Sequence, residues 1–150
     1  MNHFIIEPEV AGGLGEHTVI DCTVRPPKVG RLHYKFDGWL GDALLESFPC
    51  YIATKDLAQK LKAIHPSGVH FCEVEVEKSE LFRRIHPNRK LPDFLWLKVF
   101  GIPGKDDFGL ADDLRLVVSE RVFDLLKSEH LKNALVGHFQ PSVFAAANFS

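Results

Sequence analysis

The densest patch of potential chemistry in this chain is an acidic run, Lys105-Asp-Asp-Phe-Gly-Leu-Ala-Asp-Asp113. Asp106, Asp107, Asp112 and Asp113 put four carboxylates on one segment. Such a group can hold a divalent cation or meet a basic partner. Its plainest role is that of a solvated charged loop. The D-x-[DN]-x-[DN]-G spacing of a calcium loop is absent, and the Asp-Phe-Gly text stands without the rest of the kinase signature set. A complementary protein face is the sharper expectation, because clustered charge speeds encounter and selects partners.

Other reactive residues are more scattered. Among eight histidines, His70 and Cys72 lie two apart on an expected strand and so share a face. No zinc spacing such as H-E-x-x-H or C-x-x-C accompanies them, and no metal or other cofactor is expected. Cys22, Cys50 and Cys72 are odd in number and far apart, which reads as free, buried thiols in a reducing compartment. Ser119 follows an apolar run and opens a helical pattern, the place of a nucleophile elbow, but the G-x-S-x-G text is missing. A helix cap accounts for it, and no catalytic residue is assigned. Gly12-Gly-Leu-Gly15 lacks the Lys-Ser/Thr of a phosphate loop and reads as a flexible hairpin or loop. Trp39, between the turn formers of Asp37-Gly-Trp-Leu-Gly-Asp42, suits an interface anchor or a lid over the core.

The elements that position these residues follow from pattern. Strands are expected at Phe4–Glu9, Thr18–Val24 and Leu32–Phe36, the last with Leu32, Tyr34 and Phe36 on one face and His33 and Lys35 on the other. Val69–Glu77 alternates as one strand with Cys72, Val74 and Val76 inward. Ser79 caps a short helix over Glu80–Ile85. Phe94–Phe100 reads as a central strand containing a buried Trp96, and Gly101–Asp113 as a loop. The stretch Val143-Phe-Ala-Ala-Ala reads as a helical turn or an ordered tail.

One pattern occurs twice. Residues 50–76 and 114–139 each read as strand, hydroxyl cap, short amphipathic helix and returning strand. At an offset of 65, Thr54 meets Ser119, Leu57 meets Val122 and Leu61 meets Leu126. The capping hydroxyl accepts a free amide of the first turn, and Asp56 and Glu120 suit the helix dipole there. The expected fold is α+β: one domain over 1–150, with a mixed or mainly antiparallel sheet, short helices and this duplicated unit.

Composition narrows the partners. A net charge of −2 gives no footprint for nucleic acid and no polybasic tract for a membrane surface. Twelve phenylalanines suit a core or a partner face. The N-terminal text lacks the basic start of a signal peptide, so a cytoplasmic location is expected.

Leu116-Val-Val-Ser-Glu-Arg121, at the strand-to-helix step, resembles text in bacterial polymorphic-toxin immunity proteins, including the double-CXXCG type. Gly41-Asp-Ala-Leu-Leu-Glu46, Leu91-Pro-Asp-Phe-Leu-Trp-Leu97 and Asp106-Asp-Phe-Gly109 are similar to segments of uncharacterised bacterial proteins of this size. The resemblance spans roughly residues 38–140, and the paired C-x-x-C-G motifs are absent, so no metal role is carried over. It implies a non-enzymatic protein that binds and blocks a cognate toxin domain. Asp106, Asp107, Asp112, Asp113 and Trp39 are the expected contact residues. A small metal-dependent or ligand-binding enzyme or domain of unknown substrate is the alternative.

Overall fold

Alternation and capping decide most of this architecture. The computed structural model describes residues 2–141, and the Val143-Phe-Ala-Ala-Ala stretch lies outside them. In chain order the strands begin β1 His3–Glu7, β2 Glu9–Val10, β3 Gly12–Leu14, β4 Val19–Asp21, β5 Lys28–Arg31, β6 His33–Phe36, β7 Leu44–Ser47 and β8 Cys50–Thr54. Helix α1 (Lys55–Ala63) leads to β9 (Val69–Cys72) and β10 (Glu75–Lys78), and α2 (Glu80–Ile85) to β11 (Phe94–Val99). Then come β12 (Phe108–Leu110), β13 (Leu116–Ser119), α3 (Glu120–Lys127) and β14 (Leu135–His138).

The strands form a five-stranded sheet ordered β2-β7-β8-β11-β9, a four-stranded sheet β12-β13-β1-β14, a three-stranded sheet β10-β6-β3 and the hairpin β4-β5. Pairing is antiparallel except for β2 with β7 and β10 with β6. The fold is α+β with mainly antiparallel sheets. Among the described residues no helix is long and apolar enough to cross a membrane.

The five-stranded sheet is buried on both faces, and β8 shows why. Its alternate residues Tyr51 and Ala53 enter one core, and Cys50 and Ile52 enter another. The first core gathers Leu57 and Leu61 from α1, Val122 and Leu126 from α3, and Ile6, Leu116 and Val118 from the four-stranded sheet. Burying each such side chain contributes ~1.5–3 kcal/mol, which lets helices of nine and eight residues persist where isolated ones would melt. The second core sets Ile52, Phe94 and Trp96 against Tyr34 and Phe36 of the three-stranded sheet and Phe82 of α2.

Both duplicated units are present, and each is split. β8 and β9 both run antiparallel to β11, which lies between them. β13 and β14 likewise flank β1. Each unit is therefore a parallel strand-helix-strand crossover with one antiparallel strand inserted. Thr54 and Ser119 are N-caps, accepting from the amides of Leu57 and Val122, and Ser79 accepts from Phe82.

Several expectations are corrected. Val69–Glu77 is two strands in different sheets, parted at Glu73-Val74, and Val76 is exposed. Pro8 divides the opening strand into β1 and β2, and the second expected strand is shortened to β4. Gly12-Gly-Leu belongs to β3 and not to a loop: a Cβ on Gly12 would stand 1.9 Å from the Lys35 carbonyl oxygen, so only glycine lets these backbones pair. The expected 101–113 loop contains β12. His33, expected on an outer face, is fully buried, because the turn before β4 covers that side. Cys22 is exposed while Cys50 is buried, and all three cysteines are free.

Candidate functional site

The acidic run is divided by its own structure. Asp107 joins the two units. Its Oδ1 accepts from Ser119 Oγ at 2.6 Å and from Arg121 Nε at 2.9 Å. Its Oδ2 accepts from Arg121 Nη2 at 2.7 Å and from the Ser67 amide at 2.9 Å. Arg121 also donates to the Ile64 and His65 carbonyls at the end of α1. The Arg121 guanidinium, helped by Ser119 and Ser67 and opposed by partial burial, holds the Asp107 carboxyl well below the usual carboxylate range. The reading of the whole run as a solvated loop is corrected for Asp107, which is a clamp between α1 and α3.

The other three aspartates differ. Asp106 accepts from the Ile102 amide at 2.7 Å and closes a local turn. Asp113 pairs with Arg115 Nε at 2.7 Å in an exposed position. Asp112 is exposed. Charge facing outward is thus concentrated at Asp112 and Asp113.

Trp39 is half-buried and meets Phe94 edge-on at 6.1 Å. Its indole N–H donates to the Asp42 carbonyl at 2.9 Å, and the Arg89 guanidinium lies 4.9 Å from the ring centroid. The surrounding loop is held by buried carboxylates. Glu9 accepts the Leu40 and Asp42 amides, and the Asp42 carboxylate accepts the Lys132 and Asn133 amides. Trp39 thus closes the second core in the manner of a lid.

An apolar concavity adjoins the depression that Asp112 lines. The Pro26-Pro27 bend of the β4–β5 hairpin, the start of β8 and the end of β11 enclose about 450 Å³. Val24, Val29, Trp96, Val99, Leu110 and Leu114 give it an apolar wall, and Lys28 and Lys98 bring charge to it. A smaller depression lined by Arg25, Leu110, Ala111 and Asp112 shares Pro26, Leu110 and Leu114 with it. Val24 is 46% exposed, and Phe48, next to Pro49 of the cleft wall, is 58% exposed.

The reactive groups of the cleft, and Ser119 outside it, are quiet. Burial pushes the Cys50 thiol up to about 12, so the nucleophilic thiolate is suppressed. Burial also raises the Tyr51 phenol, whose hydroxyl donates to the Leu114 carbonyl at 2.8 Å. Ser119 spends its hydroxyl on Asp107 and the α3 cap. Among the described residues no serine or cysteine side chain hydrogen-bonds to a histidine ring.

The exposed His70 stacks on Phe100 at 4.5 Å. His17, His33 and Glu75 do converge, a grouping sequence spacing gave no means to find. It arises from the parallel register that sets Glu75 opposite His33.

No protein-family model, curated protein or solved structure gives a significant match to this chain.

Proposed function

We propose that this chain is a non-enzymatic binding protein of the immunity type, which docks on a cognate toxin domain and blocks it. The observation that carries this reading is the apolar cleft. It has solvent-facing Val24 in its wall, exposed Phe48 next in sequence to its Pro49, and Lys28 and Lys98 among its lining, while its own thiol and phenol are held protonated. An apolar centre inside a polar rim is the anatomy of a protein interface. A protruding apolar side chain of the partner fills the cleft, and basic side chains beside it face Asp112 and Asp113. Asp106 and Asp107 are committed to internal bonds and Trp39 is folded over the core, so they are left out of this contact.

The test is binding to the product of a neighbouring toxin reading frame, followed by kinetics. Val24→Asp and Phe48→Ser should speed dissociation at least about tenfold, the scale of an interface anchor, with an unchanged melting temperature. Charge reversal at Asp112 and Asp113 should slow association, most at low salt. Full affinity in all these variants would remove the cleft from the interface. Turnover of a small molecule by the purified chain would reject the binding reading.

Lys28 and Lys98 at the cleft favour a second reading, a small amphipathic carboxylate held with its acid group toward the lysines. Native mass spectrometry of the purified chain distinguishes it, since a retained ligand would appear as a defined added mass.

A further inference from the structure

His17, His33 and Glu75 bring two imidazoles and a carboxylate together away from the cleft, with donor atoms within 4.8 Å of one another. His17 Nδ1 lies 2.8 Å from Glu75 Oε2, and His33 Nε2 lies 3.7 Å from the same oxygen. Glu77 Oε1 stands 2.9 Å from His33 Nε2. A tetrahedral shell with bonds of ~2.0–2.1 Å spaces its donors roughly 3.4 Å apart, so small movements would close these atoms around one ion.

The surroundings hold the donors in place. Arg31 donates to Glu75 Oε1 at 2.8 Å and leaves Oε2 directed at the histidines, the outer support that metal carboxylates commonly have. The His33 backbone is fixed on both sides: its amide donates to Thr18 Oγ1, and its carbonyl accepts from Thr18 Oγ1 and the Gly15 amide. A Cβ on Gly15 would fall 2.1 Å from His33 Nδ1, so the turn can cover the ring only with glycine there. The His17 and His33 rings stack at 4.8 Å.

An ion-pair network without metal already satisfies Glu75, but it leaves one atom out. His33 is fully buried, and its Nε2 has no hydrogen-bond partner. Glu77 is close enough but badly aligned. Buried polar atoms are rarely left in that state. We propose that this cluster binds a first-row transition dication, with Zn²⁺ as its representative. Two nitrogens and one or two carboxylate oxygens suit zinc-class ions better than calcium or magnesium. The ion would pin the turn before β4 to β6 and β10.

Binding has a local cost. The His17 amide donates to His33 Nδ1 at 3.2 Å, which places the neutral ring's proton on Nε2. A metal at Nε2 displaces that proton to Nδ1, and the His17 amide must turn away. Since the side chain of His17 is half exposed, the turn has room to do so.

The test uses the full chain, stripped with chelator and titrated with ZnCl₂ by calorimetry. One Zn²⁺ per chain is expected, with a rise in melting temperature. Both effects should weaken at least roughly tenfold in His17→Ala and in Glu75→Gln, and persist in His70→Ala. In the parent protein, nitrogen NMR of the rings should show zinc perturbing His33 Nε2 together with the His17 amide, a readout that depends on no variant. No stoichiometric zinc, equal zinc binding in parent and both variants, or an unperturbed His33 ring would each overturn the proposal.

Discussion

The two split units share a topology and differ in what surrounds them. In the first, β8 lies in the sheet that carries a core on each face, and β9 contributes the buried Val69. In the second, β13 is fully buried, but all four residues of the returning strand β14 are exposed. Their caps differ too. Thr54 makes the single capping bond to Leu57, whereas Ser119 caps Val122 and also donates to Asp107. With its returning strand exposed, the second unit adds a polar clamp that ties its cap to the end of α1 in the first. The two units share the crossover and differ in the bonds their surroundings give them.

That contrast can be tested directly. The largest effect is expected from Asp107→Ala, which strips partners from Arg121, Ser119 and the Ser67 amide. Charge-assisted hydrogen bonds contribute roughly 1.5–3 kcal/mol each, but Arg121 is about half exposed and finds water instead. A loss of about 2–3 kcal/mol in urea unfolding is expected. Hydrogen exchange should quicken at residues 64–67 and 119–121 before it does in β8.

Next comes the pair of caps. Ser119→Ala should cost about 2 kcal/mol and Thr54→Ala about 1 kcal/mol, within the range for cap loss. Equal losses would remove the added role of Ser119. The excess for Ser119 should vanish when Asp107 is already Ala, as a double-mutant cycle would measure.

The clamp also has a pH signature. Asp107 has a folded-state pKa below its unfolded value, which is ~3.9 for an ordinary aspartate. Its contribution is therefore complete above that value and is lost as pH falls through it toward the lower folded value. Melting temperatures taken downward from pH 5 should fall less steeply in Asp107→Asn than in the parent. The smallest effect belongs to Asp112→Lys with Asp113→Lys, exposed positions where the change should stay within about 0.5 kcal/mol.

Legibility followed the range of the interactions. The three helices and their caps, the buried Trp96 and the duplicated unit were readable, because hydroxyl, apolar stripe and stop signal lie within a few residues of one another. The insertion of β11 and β1 between the strands of each unit was not, since strand neighbours across a sheet leave no local trace. For the same reason Asp107 read like Asp112 in the chain: only the fold brings Arg121, Ser67 and Ser119 to one and not the other. His33 was placed outward by alternation, which records that a strand has two faces and not whether a distant turn covers the second. Residues 69–77 alternate without a break across two strands, so period alone could not reveal the passage from one sheet to another.

The inserted strands set different timetables for assembly. β7, β8, β9 and β11 all lie within residues 44–99, so most of the first unit's sheet can form soon after that stretch has been synthesised. The second must wait, because β1 pairs His3 with Ser119 and Phe4 with His138. Phe4, Ile5 and Ile6 therefore leave the ribosome long before either neighbour exists. Contacts of such sequence separation slow folding, and an unpaired apolar strand invites pairing with another chain in the meantime. Until β13 and β14 emerge to flank it, β1 is an unpaired apolar strand open to association with another chain.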